Sequence, residues 1–283
     1  MRRKYLIISV LFTLLINVAA QDEPWRDEMQ YLQYAPRYFG PNAFPMPELR
    51  YGYINDRIEA EIRGEHHYYS GDRTKDIFAR LFIPVADGIA GVEVSFLAYE
   101  YYKMSPQTVA ERHAAGTYWE DGAHGDVVVS SFWQLFRSDR WADVMLEASL
   151  KTASGNRLAD ARFTDAAAYW FNINAGRNIL KINDLEIRMQ GFVGFYCWMT
   201  NNMVHRQNDA VVYSAGLSAK YRRLSANLDM AGIFGYEDKG DRPLQFRSKI
   251  EYEYKRNALS FRYKHGFKDC LYNTCSIGYI RYF

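Results

Sequence analysis

The chain has 283 residues, with 35 Lys and Arg against 33 Asp and Glu and a formal net charge of +2. That near balance argues against nucleic acid as a partner, because a surface that binds it carries a marked basic surplus. After the N-terminal stretch no apolar run is long enough for a membrane helix, and the mean hydropathy is −0.36, which excludes a helical membrane protein but not a barrel.

Residues 1–20 read MRRKYLIISVLFTLLINVAA. Arg2, Arg3 and Lys4 make a basic start, Tyr5 to Val18 an apolar core, and Val18-Ala19-Ala20 the small residues that a signal peptidase accepts. A signal peptide is therefore expected, with Gln21 as the first mature residue. No Cys follows the run, so a lipoprotein anchor is not expected. Removing the three basic residues turns 35 against 33 into 32 against 33, a nearly neutral mature chain.

Residues 21–47 have no strand alternation. Pro24, Pro36, Pro41, Pro45 and Pro47 interrupt any strand, yet Trp25, Tyr31, Tyr34, Tyr38, Phe39 and Phe44 make the stretch too aromatic for an ordinary disordered tail. It is expected to be periplasmic or packed within a lumen, with a barrel over 48–283. Residues 48–56 either extend the first strand or precede it.

RIEAEIRGEHHYY, residues 57–69, alternates with period two, charged on one side and largely apolar on the other. Eleven further strand-like stretches follow, at 76–85, 90–102, 126–136, 142–152, 167–178, 185–199, 210–222, 224–237, 244–255, 258–268 and 274–283. Most run ten to fifteen residues, long for soluble strands and suitable for tilted membrane ones. Their connections alternate in length. Residues 86–89, 137–141, 180–184, 222–224 and 256–257 are tight turns. Residues 70–75, 103–125, 153–166, 200–209, 238–243 and 269–273 are generally longer. Short turns at one end and longer loops at the other describe an all-β, antiparallel up-and-down transmembrane barrel of about 12 strands. With an even count, both termini are expected at the short-turn, periplasmic end. The longest loop, 103–125, is read as a surface loop with a helical turn or two, capped by Ser105 with Pro106 at the first helical position, the alternative being a constriction folded into the mouth.

The last strand ends SIGYIRYF, with Ser276, Gly278 and a terminal Phe283. Gly five back from a terminal aromatic resembles the C-terminal signature of Gram-negative outer-membrane β-barrels, although Arg281 stands where an apolar residue is usual. The resemblance implies residence in the outer membrane, outer-membrane lipid as surroundings and the barrel-insertion machinery as a partner in biogenesis. It matches no particular functional family.

Projected inward, the alternation fills the lumen with charge. Glu59, Glu61, Arg63, Glu65, Arg80, Glu93 and Glu147 come from the first half; Arg188, Lys220, Asp229, Arg247, Lys249, Glu251, Glu253, Arg262 and Lys264 come from the second. Either these charges pair and close the barrel, or they flank a narrow path for small polar or charged solutes. Asp143, Lys151, Glu186 and Arg222 share the same projection.

No His is followed two positions later by Ser, the arrangement of outer-membrane lipases, so no catalytic residues are assigned and an enzyme is not expected. His66 and His67 point to opposite faces and do not share a metal with Asp72. No cofactor is expected. Cys270 and Cys275, in DCLYNTC, are expected to form an external disulfide, with Cys197 left single. The function expected is a narrow channel for small solutes. A non-conducting structural or partner-binding barrel is the alternative, and a lipid-modifying enzyme comes third.

Overall fold

The alternating stretches become strands because each has one face that water or charge can satisfy and one that lipid can cover. The computed structural model describes residues 31–116, 118–138, 140–202 and 206–283. The expected signal peptide, the Gln21 start and Pro24 and Trp25 lie outside the described residues. The strands are β1 (Glu59–Tyr69), β2 (Asp72–Val85), β3 (Ala90–Met104), β4 (Glu120–Ala123), β5 (Val127–Phe136), β6 (Asp143–Lys151) and β7 (Ala168–Ile182). They continue as β8 (Leu185–Met199), β9 (Gln207–Tyr221), β10 (Leu224–Gly235), β11 (Leu244–Tyr254), β12 (Asn257–Lys268) and β13 (Asn273–Tyr282). β4 is a short strip laid against the end of β3. The other twelve pair antiparallel with their neighbours in chain order, and β1 closes the ring on β13 with Glu59 opposite Tyr282. Closure leaves no edge strand to satisfy within a membrane.

On β1, Glu61, Arg63, Glu65 and His67 are buried inside, whereas Ile62 and Tyr68 stand on the outer surface at 54% and 50% exposure. Outward positions elsewhere are as apolar: Phe171 and Ile173 on β7, Met189 and Val193 on β8, Leu217 on β9 and Ile277 on β13. An apolar outer belt around a charged interior is a membrane barrel, the inverse of a soluble protein.

Among the described residues, bulges interrupt the ladder next to Ile77/Phe78, Gln134/Phe136, Asn178/Leu180 and Leu244/Gln245. The first has a consequence for the interior. On β3, Glu93, Ser95 and Leu97 face inward, and Ala98 is skipped in the pairing with β2. Inward positions then become even, so Glu100, Tyr102 and Met104 are buried.

The turns 86–89, 137–142, 183–184, 222–223 and 255–256 lie at one end. At the other, 105–126, 152–167, 236–243 and 269–272 are longer, but the first connection is tight, because β2 already begins at Asp72. Residues 70–75 are thus not a loop. Helix α1 (Pro106–Glu111) starts as the sequence indicates, with the Ser105 hydroxyl accepting the Thr108 N–H and Pro106 in its first turn.

Residues 31–58 form no strand and run down the inside of the barrel. The Arg37 N–H donates to the Gly240 carbonyl and the Gly40 N–H to the Ala161 carbonyl, both in long loops. Leu32, Tyr34, Phe39 and Phe44 pack with Trp170, Tyr196, Trp198 and Ile233 in a core inside the long-loop end. Further down, the Gln134 amide donates to the Gly52 carbonyl, and β1 begins at the short-turn end, where the Phe283 N–H donates to the Ile58 carbonyl. Both termini were expected at the short-turn end. Phe283 lies at that end; the first described residues, from Tyr31, sit among the long loops, and the N-terminus itself lies outside the described residues. The barrel wall begins at Glu59, with 48–58 still inside it.

Candidate functional site: the charged lumen

The interior is built in three tiers. At the long-loop mouth, Arg162 from the 152–167 loop is wholly buried. Its guanidinium donates to Asp72 (2.6 Å), Glu100 (2.8 Å) and Thr74 (2.8 Å) and lies over the Tyr102 ring. Burial opposes its charge, but Asp72 and Glu100 outweigh that and hold its pKa above the usual arginine value. Arg112 comes in from the 105–126 loop, pairs with Asp72 at 2.8 Å and donates to the Tyr272 hydroxyl at 2.6 Å. That loop therefore does not simply cover the surface; it anchors a cation in the mouth.

In the middle tier, Arg80 donates from three nitrogens to three carboxylates: Glu61 at 2.9 Å, Glu93 at 2.9 Å and Glu59 at 2.8 Å. The interior segment adds two charges here. Glu48 accepts from Arg262 at 2.7 Å and lies 3.5 Å from Arg63, and Arg50 pairs with Glu93 at 2.7 Å. Arg262 also reaches Glu61 at 2.8 Å, across the intervening β13. It can do so because β13 presents Ser276 and Gly278 inward; a Cβ on Gly278 would stand 2.6 Å from Ser260 Oγ and 3.4 Å from Glu61 Oε1. Arg63 contacts Glu65 at 3.1 Å, while Lys264 is 3.9 Å from Glu65. Arg247 pairs with Asp229 at 2.6 Å and donates to the Pro47 carbonyl. Glu147 accepts from the Trp170 indole at 2.9 Å.

At the short-turn end, Arg188 bridges Asp143 (2.5 Å) and the Tyr51 carbonyl (2.8 Å). Lys249 pairs with Glu251 and Glu253 with Arg57, both at 2.6 Å. Lys220 faces the lumen beside Ser218 with no ionic partner among the described residues.

Among the described residues, two of the cavities flank the segment. One of about 240 Å³ lies toward the long loops, bounded by Tyr272, Lys151 and Phe163, and one of about 500 Å³ opens toward the short turns, bounded by Lys255 and Tyr282. Both are lined by Glu48, Leu49 and Arg50 and by Arg80, Lys249 and Arg262, so the segment and this ion-pair belt form the partition between them.

All sixteen charges projected inward from the sequence lie on the inner side of the wall, and most are already paired. What alternation missed comes from elsewhere: Glu48 and Arg50 from the interior segment, Arg112 and Arg162 from loops, and Glu100 behind a bulge. His66 points outward and His67 inward, where its ring nitrogens meet Asp76 (2.7 Å) and Thr274 (2.8 Å). Glu65, His67 and Asp76 bring ligand atoms within 4.8 Å of one another, but Arg63, Lys264, Asn42 and Ser276 already engage their carboxylates. The expected disulfide is corrected: Cys270 and Cys275 are free thiols. Cys275 is exposed on the outer side of β13, whereas Cys270 lines the inner cavity, and burial pushes its thiol up to about 11. The wall stands between them.

No protein-family model matches the chain, and no curated protein matches its sequence. Solved structures do match. The COG4313 outer membrane channel from Pseudomonas putida F1 is similar with a TM-score of 0.56 at 12% identity, over 84% of this chain and 100% of that one. The transport unit of the autotransporter AIDA-I from Escherichia coli gives 0.49 at 10% identity, over 89% and 100%, and the KdgM porin gives 0.47 at 10%, over 79% and 99%. The fold is that of a twelve-stranded outer-membrane β-barrel.

Proposed function

We propose that the chain is an outer-membrane channel of narrow bore, carrying small polar or charged solutes along its segment-lined lumen, rather than an enzyme. The observation that carries this reading is the pair of cavities, one toward each end, meeting at the belt of Glu48, Arg50, Arg80 and Arg262. Walls of paired charge offer a polar solute replacements for its water, and a partition made of side chains yields more easily than one made of backbone. The COG4313 match, described as a channel, agrees with this reading through the fold alone. In this reading the long loops face outward and the short turns the periplasm, lipid surrounds the belt and insertion machinery seats the barrel. Liposome swelling tests it. Vesicles holding the purified protein should swell in solutes the size of glycine and stay inert in disaccharides; inertness to every solute would refute transport.

A second reading, a non-conducting barrel, is favoured by the density of the Arg162 and Arg80 networks. Under it, the same vesicles stay inert and the interior segment is a permanent core.

A further inference from the structure

We propose that the short-turn vestibule is a collecting site for small anions, taking solutes that bear carboxylate or phosphate groups; the inference rests on the channel reading for its purpose but not for its geometry. Ten Lys and Arg side chains line this 500 Å³ cavity against five carboxylates. Carboxylates just beyond the lining cancel part of the surplus, Glu93 holding Arg50, Asp143 holding Arg188 and Asp184 holding Arg222. Glu48, Glu59, Glu186, Glu251 and Glu253 are each held by a cation, namely Arg262, Arg80, Lys181, Lys249 and Arg57 in turn. Three cations are left without a carboxylate among the described residues: Lys220, Arg223 and Lys255. Arg223 and Lys255 stand at the rim, both against the exposed Tyr254 ring just outside the cavity lining, at 5.1 and 5.3 Å from its centre. Lys220 sits deeper on β9, in register with Glu186, but Glu186 is taken by Lys181 at 2.7 Å.

The other cavity has no such bias, with eight cations against six carboxylates. A concave site walled by low-dielectric protein and lined by one sign of charge concentrates the opposite ion. Its volume falls in the range of small-molecule pockets. Ammonium and guanidinium donors with spare hydrogen bonds select carboxylate and phosphate over neutral solutes. The rival owner of these cations is the phosphate of an anionic lipid headgroup, since Arg223 and Lys255 stand at the rim.

Citrate binding to the full-length protein, measured by titration calorimetry in phosphatidylcholine nanodiscs, tests the proposal. Citrate should bind, glucose should not, and K220Q/R223Q/K255Q should weaken citrate at least tenfold, while K239Q at the opposite end leaves it unchanged. Adding phosphatidylglycerol to the nanodiscs should leave citrate binding in place. Absence of citrate binding, equal binding by the triple variant, or abolition by phosphatidylglycerol would each overturn the proposal, the last by assigning the cations to lipid. Because binding is read without current, a protein that binds citrate but never conducts would refute the channel and spare the site. One that conducts without binding citrate would do the reverse.

Discussion

Arg162 shows what a single side chain does in this lumen. It joins Glu100, Asp72 and Thr74, and Arg112 neutralises only one of those two carboxylates among the described residues. Replacing it with Met leaves Glu100 buried with no cation within ion-pair distance among the described residues. Breaking a buried pair in this way costs about 3–5 kcal/mol. Urea unfolding of the barrel in vesicles should show Arg162→Met destabilised on that order, with Arg162→Lys intermediate because an ammonium cannot span both carboxylates. A loss under 1 kcal/mol would mean that water already reaches the mouth. The cysteines allow a second check at this scale. Cys275, exposed on the outer face, should react readily with a maleimide in detergent, and Cys270, with its raised thiol pKa and inner position, should lag well behind. Mass spectrometry showing a 270–275 disulfide in the native protein would restore the sequence-based expectation.

Among the elements, the interior segment is the one that divides the lumen, and it is held to the wall by side chains instead of by a strand ladder. Gly52 marks where it presses closest. Its φ is +80°, and a Cβ there would sit 2.6 Å from the Gly176 nitrogen and 2.7 Å from the Asp143 carbonyl. Gly52→Val should therefore push the segment off the wall and make it accessible to protease in purified protein, whereas the native segment resists cleavage. The twelve wall strands were legible in the sequence because period two is a local signal that both lipid and lumen enforce. The opening EAEIRGEHHYY places Glu61, Arg63 and Glu65 correctly for that reason. Glu100 was not legible, since the bulge at Ala98 reverses parity and leaves no mark in composition. Arg112 and Arg162 were hidden differently: a loop has no period, so nothing local tells a solvated arginine from one folded into a mouth. For residues 31–47 the aromatic content signalled packing. Its direction through the barrel depends on contacts with Gly240 and Ala161, more than a hundred residues away in the chain.

At the scale of the molecule, the barrel is a shell whose charges are mostly spent on one another, with a threaded segment dividing its lumen. The first and last strands bring the acidic row of β1 and the basic row of β12 to opposite sides of β13, where Arg262 and Glu61 join across Gly278. They are paired, so neither row alone sets ion preference. In the channel reading, restriction lies at the belt where Glu48 and Arg50 tie the segment to Arg262 and Glu93. Planar-bilayer recording of the wild-type protein beside Glu48→Gln/Arg50→Gln tests this most directly. The account predicts small, ohmic wild-type channels and a severalfold larger conductance in the double variant, as the partition loosens while the barrel remains folded. Silent bilayers from both proteins, each verified as inserted, would contradict it and leave a structural barrel with a permanent core.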